Sequence, residues 1–303
     1  MLVARIADQL GNQMFTYASV KTIAQHRQEP FGFIREWNDR INDSDRKYGN
    51  EIHTIFPVIH DEFFEQLPAV ITHTYAEPPL SSRTANYQAD ALQVPTDTLM
   101  IGHYISYRYF ADNLEEVRRW FAFPEDIADP VDEELAALRA KYPGRPLVAV
   151  HFRIGEDYVR QGFRLRDSYW KKAADYVLTQ VKDPIFLLFY DRKPKKGGLI
   201  DYFTSHFTCE ICRGSLVHDL CMLSRCDWEI ICNSSFSIMS AVLNTTSSNQ
   251  IVRPSVYPVG RQFYPTDCFC DDWTVVPASQ SLQAAIQCRI MYLKGQILKL
   301  IRK

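Results

Sequence analysis

Short apolar runs alternate with helical periodicities along this chain, and they outline its elements before any residue is assigned chemistry. Leu2-Val3-Ala4-Arg5-Ile6 predicts a first strand, Ala7 to Asn12 a loop, and the residues to about Gln25 a helix. Leu99-Met100-Ile101-Gly102 predicts another buried strand. Leu114, Val117 and Phe121 fall at helical spacing within a helix from about Asn113 to Phe121. The stretch Asn38 to Asn50 is polar and turn-rich, which predicts a surface loop. The acidic stretch Pro124 to Glu134 reads as a linker into a helix over Glu133–Lys141, and Tyr142-Pro143-Gly144-Arg145-Pro146 then breaks the chain.

The second half alternates more regularly. A strand over Leu147–Phe152 leads to a helix at about Ser168–Val181. A strand over Ile185–Tyr190 leads to a basic loop at Arg192–Lys196. A helix over Leu216–Arg225, a strand over Trp228–Cys232, a helix over Ser237–Leu243 and a strand over Gln250–Val252 follow. Continuous apolar strands alternating with helices predict an α/β fold with a parallel sheet covered on both faces. A chain of 303 residues suits two domains. We place them at 1–143 and 144–277, with a C-terminal amphipathic helix at 278–303.

Composition narrows the function classes. A formal net charge of −2 gives no general attraction to nucleic acid, so no nucleic-acid partner is expected. The Met1 end enters a strand directly, with no basic, apolar and small-residue succession of a signal peptide. The longest apolar run falls far short of the roughly 20 residues a membrane span needs. Eight cysteines lie mostly inside apolar patterns and read as reduced thiols of a cytoplasmic protein. Cys209 and Cys212 have metal-ligand spacing and Cys268 and Cys270 add two sulfurs, but a second properly spaced pair is missing. Leu282, Ile286, Ile290, Leu293, Ile297 and Leu300 share one helical face in a segment without acids that carries Arg289, Lys294, Lys299, Arg302 and Lys303. That face suits either packing on the body or peripheral contact with an anionic membrane.

In a parallel sheet, ligands bind beyond the C-terminal ends of the strands. His151 and Arg153 lie at the end of the Leu147–Phe152 run and point to one side. A satisfied histidine and a structural arginine would read the same way. Asn233-Ser234-Ser235-Phe236-Ser237 is a small, hydroxyl-rich turn entering a helix, which suits an anion but also ordinary capping. Asp191 ends another strand and Asp219 lies on the next helix; either could accept hydrogen bonds from a base or ribose. Together these features describe a pocket for a nucleotide diphosphate.

Four ordered segments extend the reading. Gln9-Leu10-Gly11-Asn12-Gln13-Met14-Phe15-Thr16-Tyr17-Ala18 resembles the G-G-L-G-N-Q-M-F-Q-Y-A opening of the family-11 glycosyltransferases, the α-1,2-fucosyltransferases. Gly102-His103-Tyr104-Ile105-Ser106-Tyr107-Arg108-Tyr109-Phe110 is similar to that family's G-Y-x-Q-S-x-x-Y-F, and His151 to Tyr158 resembles H-x-R-R-G-D-Y. The fourth segment, Asp219 to Cys226 followed by Ile231 to Ser237, resembles D-L-x-L-M-S-x-C and A-N-S-S-F-S. The chain departs from the pattern at Asp8-Gln9, which replaces two glycines, at Ile154, where a second arginine is usual, at Glu156, and at Ile238-Met239-Ser240. The resemblance implies a GT-B-like fold, two Rossmann-like domains facing a central cleft. It further implies inverting, metal-independent transfer of fucose from GDP-β-L-fucose to the 2-hydroxyl of a galactose-containing oligosaccharide, with no cofactor. Arg153 would hold the diphosphate, with His151 beside it. Ser234, Ser235 and Phe236 would meet the phosphates, Asp219 the guanine or ribose, and Asn12 the donor from the other domain. Asp8, Glu156 and Asp157 all remain open as the base. A different GDP-sugar or linkage, or an inactive binder of the same fold, also remain open. Asp43-Ser44-Asp45 is the only D-x-D in the chain and lies in a polar loop, not at a strand end.

Overall fold

The computed structural model describes residues 1–35, 52–78, 86–191, 197–247, 250–259 and 262–301. The expected polar loop with Asp43-Ser44-Asp45 and the basic loop at 192–196 lie outside these residues. The first half supplies β1 (Leu2–Ile6), α1 (Leu10–His26), β2 (Phe31–Arg35), α2 (Ile52–Ile55), β3 (Phe63–Phe64), β4 (His73–Ala76), β5 (Thr98–Ile101) and α3 (Leu114–Trp120). Its strands form one sheet in the order β3-β2-β1-β5-β4, with every neighbouring pair parallel. Helix α1 is buried on nearly every side from Leu10 to Ala24. A helix enclosed all round needs no polar face, which is why its sequence carries no amphipathic stripe. Its one interior cation, Lys21, donates to Tyr17 and Glu62 at 2.7 Å each and faces the Trp120 ring at 4.4 Å.

The second half supplies α4 (Glu125–Lys141), β6 (Leu147–Phe152), α5 (Glu156–Gln161), α6 (Ser168–Gln180), β7 (Ile185–Tyr190), α7 (Leu199–His206) and β8 (Cys209–Ile211). It continues through α8 (Leu216–Leu223), β9 (Trp228–Ile230), α9 (Ser235–Leu243) and β10 (Ile251–Pro254). The hairpin strands β11 (Tyr257–Val259) and β12 (Gln262–Tyr264), then β13 (Thr274–Val276) and α10 (Leu282–Ile301), complete it. The second sheet runs β13-β10-β9-β6-β7-β8 and is also all parallel. Every residue of β6 is buried, as a central strand with helices on both faces requires. Two Rossmann-like α/β units of the GT-B-like kind are therefore present.

Two sequence expectations need correction. The stretch 124–134 is helix from Glu125 onward instead of a linker. Glu125 and Asp126 favour a helix N-terminus, Val131 and Leu135 pack on the second sheet's core, and Pro130 forfeits only one backbone bond. Helix α4 thus packs on the second unit although it precedes the break at Tyr142–Pro146. Helix α9 begins at Ser235, two residues earlier than its apolar pattern indicates, because Ser234 takes the extended N-cap conformation. The strands β2, β3 and β4 were not expected: Gly32 interrupts the apolar run of β2, β3 has two residues, and β4 is largely exposed.

Each sheet reverses its strand order once. The first does so between β1 and β5, the second between β6 and β9. Such switch points open a crevice at the strands' C-terminal ends. The two are brought together because α1, which follows β1, lies against α9, which follows β9. Contact is closest at Gly11: a Cβ there would fall 2.6 Å from the Ser235 carbonyl carbon and 2.7 Å from Phe236 Cα. One apolar core runs across the junction, from Leu10, Met14 and Phe15 to Ile238, Met239 and Val242. We predict that Gly11→Ala lowers unfolding free energy by about 1–3 kcal/mol, since the clash is with backbone and cannot be relieved by a rotamer change. Chemical denaturation checks this, and wild-type stability in the variant would disprove the tight approach.

Candidate functional site

The end of β6 delivers Arg153 to the second switch point. Its Nη1 donates to Asp191 Oδ2 at 2.6 Å, its Nη2 to Asp157 Oδ2 at 2.8 Å, and its guanidinium lies 4.8 Å from the centre of the Tyr158 ring. Burial opposes the guanidinium's charge, but Asp191 foremost, with Tyr158 and Asp157, outweighs it and raises the pKa. Asp191 also accepts from the backbone of Ile154 at 3.0 Å and of Gly155 at 3.1 Å, so it fixes the loop as well as the arginine. A base or ribose would have to compete with those bonds. His151, one residue pair earlier on β6, is buried with Nδ1 3.7 Å from Cys232 Sγ and its ring 5.4 Å from that of Phe236. Burial, with Arg153 adding to it, pushes its pKa down to about 3. The imidazole is therefore neutral and supports Phe236 and the start of α9.

The turn after β9 closes the other side of this switch point. Asn233 is buried, donates to the Phe163 carbonyl at 2.7 Å and accepts on its backbone oxygen from Tyr158 at 2.9 Å. Its side-chain oxygen is buried without a partner. Ser234 occupies the N-cap of α9 yet makes no side-chain cap bond, and Gln9 at the N-cap of α1 makes none either. Two helix N-termini thus meet with side-chain caps absent, each presenting amide N–H groups and the positive end of its dipole. Ser235 Oγ donates to Asn12 Oδ1 at 2.5 Å and ties the two termini together. Arg153, His151, Asp191, Asn233, Ser234, Ser235, Phe236 and Asn12 are therefore one connected constellation. Asp219 is set apart, beside β8 and two strands from β6. It accepts from the Gly214 backbone at 3.0 Å, lies 3.7 Å from His218, and burial raises its pKa. The nearby Arg213 donates to Tyr190 Oη at 2.7 Å.

At the first switch point, Asp8 follows β1 and His103 follows β5, and Asp8 Oδ2 is hydrogen-bonded to His103 Nε2. Sequence reading noticed Asp8 but gave His103 no role, because residues 95 apart are joined only by the pairing of β1 with β5. Tyr158 and Arg213 were also missed, their positions being set by tertiary contact. Among the described residues no group of three or more His, Cys, Asp or Glu side chains is placed to hold a metal ion.

No family model matches the chain, and no curated protein matches it. Solved structures give weak likenesses. The fucosyltransferase NodZ from Bradyrhizobium aligns with 80% of this chain and 93% of its own, at 15% identity and a TM-score of 0.47. POFUT1 in complex with GDP-fucose aligns with 82% and 96%, at 11% identity and a TM-score of 0.45. A family 9 glycosyl transferase from Veillonella parvula aligns with 96% and 90%, at 11% identity and a TM-score of 0.46. At these values the likenesses carry nothing about activity.

Because His151 is neutral in the folded chain and would protonate near 6.5 when unfolded, it contributes stability above that pH. This is lost as pH falls from 6.5 toward about 3. We expect its ring resonances to stay untitrated in NMR between about pH 8 and pH 5. A titration midpoint in that interval would contradict the burial.

Proposed function

We propose that this protein is a glycosyltransferase moving L-fucose from GDP-β-L-fucose to the 2-hydroxyl of a galactoside. The observation that carries the reading is the convergence of Arg153 with two helix N-termini lacking side-chain caps, at facing switch points of two parallel sheets. A departing GDP is a diphosphate whose charge grows as the glycosidic bond breaks. Amide N–H groups at helix starts and a fixed guanidinium are the donors that suit such an anion. The four motif segments supply the sugar and the linkage.

In this reading Arg153 supports the leaving group. Two of its N–H donors go to Asp191 and Asp157, which aim the planar fork, and a guanidinium has five such donors. The remaining donors meet the β-phosphate, with Ser234, Ser235 and Phe236 N–H groups adding to them. Asn12 approaches the donor from the other unit. Asp219, with Arg213 and Tyr190 nearby, serves guanine or ribose. His151 acts through Phe236, keeping the α9 terminus in place. The transfer proceeds with inversion and without a metal ion or other cofactor, Arg153 filling the electrostatic role that a divalent cation has in other transferases.

Arg153→Ala is expected to reduce transfer about 10²–10³-fold while the fold persists. Transfer by the wild-type chain is expected to be unchanged by EDTA. Radiolabelled fucose transfer onto a panel of β-galactosides, with GDP-mannose as the competing donor, measures both. Full activity in the variant, dependence on a divalent ion, or preference for GDP-mannose would each overturn the corresponding part.

The eight cysteines are unpaired, in keeping with a cytoplasmic setting. Among the described residues no helix is long and apolar enough to cross a membrane. Helix α10 buries Ala284 and Cys288, yet leaves Leu282 66%, Ile286 51%, Ile290 41% and Leu293 52% exposed. With Arg289 and Lys294 exposed on the same helix, this stripe suits peripheral contact with anionic lipid. Co-sedimentation with phosphatidylserine vesicles, lost in Ile286→Asp/Ile290→Asp, is the expected result. Equal pelleting with neutral vesicles, or none, would remove this part.

A further inference from the structure

The proposed transfer needs a group to take the acceptor's proton, and three carboxylates lie near the junction: Asp8, Glu156 and Asp157. An in-line displacement places the attacking hydroxyl opposite the leaving group. Glu156 and Asp157 open α5, directly after Arg153, so they belong to the wall that holds the diphosphate. Asp157 is also bound to Arg153 itself. Asp8 belongs to the opposite wall, at the switch point of the other sheet, where a nucleophile would arrive.

The backbone around Asp8 supports a role beyond packing. Asp8 has φ 66°, and Tyr104, one residue past His103, has φ 49°. Both are left-handed conformations that glycine adopts freely, aspartate at a small cost and tyrosine at a larger one. The motif that residues 9–18 resemble carries glycines just before Leu10, so Asp8 stands where the backbone itself would favour glycine. The two left-handed residues lie side by side at one switch point, and such conformations cluster at functional sites. The Asp8 side chain is 42% exposed and that of His103 32%, so a dissolved sugar can reach them. The bond from His103 holds the Asp8 carboxyl below its usual range, against the opposing effect of burial, so it is ionised. Glu77 fixes the turn beneath them, accepting from His103 N at 3.0 Å and Tyr104 N at 2.7 Å.

We infer that Asp8 is the catalytic base and that His103 is its positioning residue, a step that rests on the fucosyl-transfer reading above. As the acceptor oxygen forms its bond to the anomeric carbon, its O–H bond breaks and the proton passes to the Asp8 carboxylate. The bond between the anomeric carbon and the β-phosphate oxygen breaks at the same time, and GDP leaves with that electron pair.

The test uses the full chain and Asp8→Gly, which removes the carboxylate and suits the φ of 66°, so its thermal midpoint should be no lower than wild type. We expect kcat to fall on the order of 10²-fold with the KM for GDP-fucose unchanged, and added formate to restore part of the rate. His103→Ala should lose about tenfold, and His103→Gln, which keeps an N–H donor for Asp8, should recover most of it. Wild-type kcat in Asp8→Gly, or a loss that formate leaves untouched, would overturn the assignment alone. A wild-type chain that transfers no fucose to any acceptor would overturn the functional reading and this inference with it.

Discussion

The arrangement depends on a missing side chain at Gly11. Helices α1 and α9 approach so closely there that a Cβ would enter the backbone of Ser235 and Phe236. Closeness at that point is also closeness of two helix N-termini, because Gly11 is the second residue of α1 and Phe236 the second of α9. Each terminus is itself fixed at the end of a central parallel strand. One glycine thereby sets the distance between the C-terminal edges of both sheets, and a shared apolar core holds that distance.

From this constraint the division of labour follows. The second unit contributes positive character: the Arg153 guanidinium, aimed by Asp191 and Asp157, and the amide groups that open α9. The first unit contributes Asn12, which bonds across to Ser235, and the Asp8–His103 pair. An anion is favoured on one side and a proton acceptor stands on the other. Group transfer from a nucleotide-linked sugar needs that polarity, since negative charge departs in one direction while a proton is lost in the other.

The sequence disclosed the second unit better than the first. Strands β6 and β7 are continuous apolar runs, buried throughout or nearly so, and their limits are those the pattern predicts. In the first sheet the apolar runs of β1 and β5 show, but β3 has only two residues, β4 is largely exposed, and Gly32 interrupts the apolar run of β2. The N-terminal half of helix α4 was hidden by its acids and by Pro130, whose helical state is secured by Val131 and Leu135 packing on the second sheet. Among site residues, Arg153 and the turn 233–236 were legible because strand ends and hydroxyl-rich turns are local signals. His103 was not, because its meaning comes from Asp8 on a neighbouring strand. The grip of Asp191 on Arg153 likewise depends on the pairing of β6 with β7.

A crystal structure with GDP bound tests the junction most directly. The diphosphate is expected at the mouth of the junction, beside the start of α9, with a β-phosphate oxygen within hydrogen-bonding distance of Arg153 and of the backbone at Ser234 or Ser235. GDP bound elsewhere, with Arg153 still held only by Asp191 and Asp157, would contradict the assignment of this site to the leaving group.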